Sequence, residues 1–133
     1  MSRKSARDSA FKIIYQTPFH SENSESDVMD LFLSDESMSK LTENDLEYIK
    51  TTVNNCFENI EDIDASLTGS LKNWTLQRIS KVNLAILRLS LSEIKYGEIP
   101  HQISINEAIE LAKKYSDDDA PAFINGVLAD VIK

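Results

Sequence analysis

The sequence predicts an all-α fold of about seven helices, and three observations predict it. Apolar residues recur at spacings of three and four along most of the chain, the repeat of a helix with one buried face. No segment sustains the strict alternation of apolar and polar residues that marks a half-buried strand. Only three glycines and three prolines punctuate 133 residues, which argues for few turns and long helices. A chain of this length is one ordinary domain with room for a real core. Its 41% hydrophobic and 27% charged residues are those of a soluble globular protein.

The first helix is expected over residues 2–16, with Ala6, Ala10, Ile13 and Ile14 on one face and Phe11 widening it. Pro18 ends it, and the polar run 20–27 is a loop. Val28, Leu31 and Phe32 make a short second helix, followed by a loop through 34–41. Thr42-Glu43-Asn44-Asp45 is a helix-start signal. Leu46, Ile49, Val53, Cys56, Phe57 and Ile60 then form an amphipathic stripe, in which Cys56 is a small buried hydrophobe. Ile63, Leu67 and Leu71 predict a further short helix ending near Gly69.

Residues 74–97 are the stretch round which the rest is organised. Ile79, Val82, Leu84, Ala85, Ile86, Leu87, Leu89, Leu91 and Ile94 spread round the whole circumference of a helix, the mark of a buried one. Gly97 is the expected left-handed residue beyond its end, and Pro100 stops any continuation. After a loop over 97–103, Ser104-Ile105-Asn106-Glu107 reads as a capping box opening a helix to Tyr115. Ile105, Ala108, Ile109 and Ala112 face inward along it. Asp119 is a candidate N-cap with Pro121 early in the last helix, whose apolar face is Phe123, Ile124, Val127, Leu128 and Val131.

Net charge is −8, but its distribution matters more than its sum. Residues 1–19 carry four basic and one acidic side chain, and 20–70 carry two basic and thirteen acidic. Residues 71–116 carry seven basic and four acidic, and the tail from Asp117 carries one basic and four acidic. A small anion site survives this pattern; a large basic surface does not. The central stretch is too short for a bilayer and is interrupted by Lys81, Arg88, Ser90 and Ser92, so no membrane role is expected. One cysteine excludes a disulfide framework, and residues 1–14 lack a signal peptide's apolar run, so the cytoplasm is the expected compartment.

Catalytic constellations are missing. No Gly-rich phosphate loop, G-x-S-x-G or H-E-x-x-H occurs, so the chain is not expected to be an enzyme or to need a cofactor. His20 and His101 fall in predicted loops without ligand-spaced partners, and Asp117, Asp118 and Asp119 lack a calcium loop's glycine, so no metal site is expected. Arg88 sits on the buried helix and needs a partner, for which Glu93 and Glu107 are candidates. Arg3, Lys4 and Arg7 cluster at the start of the first helix, where the helix dipole disfavours cations. They are read either as a solvated, frayed start or as an anion site, in which helix N–H groups and cations face phosphates together.

The order W-x-L-x-R-I, A-I-L-R-L, E-I, I-P, I-N-E-A-I-E-L-A-K-K-Y and F-I-N-G-V-L, running from Trp74 to Leu128, resembles the NusB family of transcription antitermination factors. The first helix adds R-x-x-x-R, with Ala6, Ala10 and Tyr15 placed as in that family, whereas residues 21–70 resemble it hardly at all. The resemblance implies two small helical subdomains, about 1–72 and 73–133. It also implies binding of boxA-type single-stranded leader RNA together with the ribosomal small-subunit protein NusE. That pair is loaded into an RNA polymerase antitermination complex to promote ribosomal-RNA transcription and processing. Arg3, Lys4 and Arg7 match the family's RNA-contacting basic residues, Tyr15 would support that surface, and Lys114 and Tyr115 would lie near the RNA path. Asn83 stands where relatives frequently carry an acidic residue facing NusE, so a salt bridge is not expected there. Three cations in place of a denser arginine cluster imply modest RNA affinity without the partner. The alternative is a protein-interaction helical module with little RNA binding of its own.

Overall fold

The computed structural model describes residues 3–17, 42–71 and 76–132, residue 3 by its backbone alone. The expected short helix at Val28, Leu31 and Phe32, Trp74, and the expected subdomain boundary at 72/73 lie outside the described residues. Among the described residues six α-helices occur: α1 (Arg3–Gln16), α2 (Glu43–Glu58), α3 (Ile60–Ser70), α4 (Lys81–Leu91), α5 (His101–Tyr115) and α6 (Ala120–Val131). A 3-10 turn, Leu76–Arg78, precedes α4, and a π-helical turn, Ser92–Tyr96, follows it. No strand occurs among the described residues.

Local signals set most of the ends. Thr42 caps α2, its hydroxyl accepting from Asp45 N at 3.1 Å, and Glu43 and Asp45 in the first turn favour the positive end of the dipole. Asn59 ends α2 and starts α3, its side-chain amide donating to Asn55 O at 2.9 Å, so Ile60 opens α3 rather than closing the α2 stripe. Ser80 caps α4 by accepting from Asn83 N at 3.1 Å. α6 starts at Ala120 after Asp119, with Pro121 near its start, where a missing N–H costs nothing; the Asp119 side chain makes no cap bond.

α4 is the buried centre. Ile86, Leu87, Leu89 and Leu91 are at most 1% exposed, and burying each contributes about 1.5–3 kcal/mol. That outweighs the roughly 1 kcal/mol a cap supplies, so packing rather than propensity holds α4 in place. α4 touches α1, α2, α3, α5 and α6, and α5 packs along α6. The stripe of α1 (Ala6, Ala10, Phe11, Ile13, Ile14) and Cys56 of α2 join the same buried cluster.

Four expectations are corrected. The central stretch is not one helix: after Leu91 the ladder widens into the π turn, where the Ser92 hydroxyl takes the Arg88 carbonyl at 2.7 Å. Gly97 is not left-handed; its φ is −105°, and the positive φ of 57° falls on Glu98. α5 begins at His101 behind Pro100, one turn before the apparent capping box, so His101 is helical and Ser104 is buried inside the helix. The Ser104 hydroxyl is committed across the core rather than to the backbone of its own helix start. Arg88 also pairs differently from either candidate, in a bidentate bridge to Asp64 of α3 at 2.9 and 2.8 Å.

Candidate functional site

The first cluster of chemistry is buried where α1, α2, α4 and α5 meet. Glu93 is 1% exposed and accepts from Arg7 Nε at 2.8 Å and from the Tyr48 hydroxyl at 2.5 Å. Its other oxygen accepts from the Ser104 hydroxyl at 2.8 Å, which leaves Ser90 to donate to Ser104, also at 2.8 Å. The Arg7 guanidinium lies 5.6 Å from the centre of the Tyr48 ring, and its Nη1 is 3.8 Å from Glu107. Burial works against the Arg7 charge, but Glu93, Tyr48 and Glu107 outweigh it and hold the pKa above its ordinary value. Burial, reinforced by the adjacent Glu93 carboxylate, pushes the Tyr48 phenol up, so Tyr48 stays a neutral donor. Every atom of this cluster that needs a partner has one, as a desolvated ion pair requires.

Arg7, expected among the RNA-contacting cations, is 5% exposed and tied to Glu93 at the edge of the groove described next. The reason is positional: Arg7 lies one turn before Ala10 and two before Ile14, within the buried face of α1, and Glu93 takes its charge.

Above that tie runs a groove of about 310 Å³ between α1 and the C-terminal half of α5, bordered by Lys4, Arg7, Asp8, Glu107, Glu110, Lys113 and Lys114. Asp8 is the hub of its rim. Its carboxylate receives Lys12 Nζ at 3.1 Å, Lys114 Nζ at 3.1 Å and the Tyr115 hydroxyl at 2.5 Å. Partial burial pushes its pKa up, yet the bonds from Tyr115, Lys12 and Lys114 win, and Asp8 is held below the usual carboxylate range. Both ammoniums also flank the Tyr115 ring, 5.9 Å (Lys12) and 5.0 Å (Lys114) from its centre. The ring stacks on Phe11 with centroids 5.0 Å apart, and Phe11 leans on the half-exposed Tyr15 at 6.1 Å.

The fold therefore brings Lys4, Lys114 and Tyr115 together from opposite ends of the sequence, with Arg7 beneath them and Tyr15 further along α1. Arg3 follows the same helix by its backbone, and its side chain is outside the described residues. Sequence reasoning missed Lys12 and Lys113. The Asp8/Lys12 spacing of four on α1 was available as a signal, but the Asp8–Lys114 pairing, 106 residues apart, was not. Asn83 stands apart. Its amide oxygen accepts from the Ser116 hydroxyl at 2.7 Å, beside a cavity of about 430 Å³ lined also by Arg78, Asp117, Asp119 and Phe123. Among the described residues no group of three or more metal-ligating side chains gathers, and no helix is long and apolar enough to cross a membrane.

Fold and groove together define a class: an all-helical domain wrapped round one buried helix, with a lysine-bordered groove between its first and penultimate helices. Within that class the chain belongs to the NusB family, whose pattern matches residues 4–133. It is 42% identical over 143 residues to the transcription antitermination protein NusB of Clostridium botulinum (strain Kyoto / Type A2), covering 99% of this chain and 100% of that one. The NusB of Acetivibrio thermocellus is 42% identical over 134 residues, covering 100% and 90%. Among solved structures, T. maritima NusB superposes with a TM-score of 0.87 at 29% identity, covering 98% of this chain and 90% of that one. A structure of antitermination factors NusB and NusE in complex with dsRNA superposes with a TM-score of 0.84 at 28% identity, covering 97% and 94%.

Proposed function

We propose that the chain is a cytoplasmic transcription antitermination factor that binds boxA-type leader RNA together with NusE, as part of an RNA polymerase antitermination complex promoting ribosomal-RNA transcription and processing. It acts by binding and not by catalysis. The observation that carries this reading is the convergence of Lys4, Lys113 and Lys114 on one groove, with Tyr115 held beside Lys114, in a chain matching the family from residue 4 to 133. A single strand needs ammoniums for its phosphates, and the groove offers those of Lys4, Lys113 and Lys114. Arg3, Lys4, Lys114 and Tyr115 would touch the RNA, with Tyr15 at the edge of the same surface. Arg7 would hold α1 in place beneath them. The likeness to a NusB–NusE–dsRNA complex supports both partner classes. Asn83, beside its own cavity, would face NusE through neutral hydrogen bonds.

Fluorescence anisotropy with a boxA-type RNA, with and without NusE, tests the reading. Lys4→Ala/Lys114→Ala should weaken binding roughly tenfold and lower the slope of log K against log salt by about 1.4, two contacts at about 0.7 each. An unchanged affinity and slope would remove the groove from the RNA path. One observation favours the second reading, a protein-interaction module with little RNA binding of its own: Asp8, Glu107 and Glu110 also border the groove. On that reading NusE binds normally while the RNA titration stays flat.

A further inference from the structure

Resting on the proposed RNA role of the groove, we infer that Asp8 is an internal competitor of RNA phosphate, a carboxylate that occupies the place a phosphate would take and so limits the affinity of the groove. Three donors meet on this one group: the ammoniums of Lys12 and Lys114 and the Tyr115 hydroxyl. Two ammoniums and a phenol, offered by two helices to a pair of anionic oxygens, are the donor set that also suits a phosphate. Asp8 cannot leave, because it is anchored on α1 with only 18% of its side chain exposed. The lysines can, being 47% and 63% exposed on flexible stems.

An arriving phosphate must therefore draw Lys12 and Lys114 away from a carboxylate that already offsets one of their two charges. That exchange of one anion for another yields little net attraction and releases fewer counterions than two free ammoniums would. The depressed pKa of Asp8 keeps the competitor charged throughout the neutral range. The fold does not need this charge in order to hold its ring: an amide oxygen at position 8 still accepts from the Tyr115 hydroxyl.

Asp8→Asn tests the inference by anisotropy against boxA-type RNA in the presence of NusE. The expected result is binding about three- to tenfold tighter than in the unmodified protein, with a salt slope larger by about 0.7, for the one charge that Asp8 no longer offsets. Asp62→Asn is the control, since Asp62 likewise holds a lysine and a tyrosine, Lys95 and Tyr96, but on α3 away from the groove. It removes the same unit of net charge and should move the affinity less than twofold. Helicity and melting temperature are recorded for each variant, and Asp8→Ala supplies a second substitution in the same direction. If the unmodified protein binds and Asp8→Asn binds equally or more weakly, or if Asp62→Asn gains as much, the competitor role is overturned while the RNA reading stands. If neither the unmodified protein nor the variant binds RNA with NusE present, the RNA reading itself falls and takes the inference with it.

Discussion

Glu93 shows how much one carboxylate can organise. It accepts from three side chains on α1, α2 and α5, all four groups being at most 8% exposed. Glu93→Gln keeps the volume but strips the charge facing Arg7, leaving that buried cation only its longer contact with Glu107. Loss of one partner of a buried pair costs about 3–5 kcal/mol, and urea unfolding at neutral pH should show a drop of that size. A change below about 1 kcal/mol would mean that the pair is not desolvated. The same residue explains why the burial of Arg7 is not legible in the sequence. A cation in an R-x-x-x-R pattern at a helix start looks solvated until the distant carboxylate that receives it is known, and Glu93 is 86 residues away.

At the scale of elements, what the sequence made legible was whatever is decided within a turn or two. The apolar stripes of α1, α2 and α6 are buried as their spacing predicts, and Thr42 caps α2 as its pattern predicts. The apparent cap at Ser104 misled because its hydroxyl is claimed by Glu93 and Ser90, groups that only tertiary packing brings near. The π turn was hidden for the same reason: it aims Glu93 inward and has no signature in periodicity. Gly97 is required there, though not for a left-handed backbone. A methyl group at 97 would meet Glu93 O at 3.0 Å and Glu93 Cα at 3.2 Å, backbone atoms with no room to yield. Gly97→Ala should therefore destabilise by about 1–3 kcal/mol in thermal melts. A neutral or stabilising result would show that the turn can relax. The left-handed strain sits one residue later, on Glu98.

For the whole molecule, a net charge of −8 does not forbid RNA, because most of the acid lies between residues 20 and 70. What matters is whether the remaining cations meet, and the groove between α1 and α5 gathers Lys4, Lys113 and Lys114, with Lys12 joined to Lys114 through Asp8. The candidate site was thus half legible. Its basic and aromatic members could be named, but the groove that joins them and the carboxylate that restrains them are products of the fold. The same fold separates Asn83, beside its own cavity, from that groove.

The central claim, that RNA lies along α1 and α5, is tested most directly by backbone amide chemical-shift mapping of the protein titrated with boxA-type RNA in the presence of unlabelled NusE. The account predicts RNA-dependent shifts clustered at Lys4, Asp8, Lys12, Lys114 and Tyr115, with Asn83 moving on addition of NusE. Shifts confined to the Asn83 face or to α3, with the α1–α5 groove silent, would contradict it.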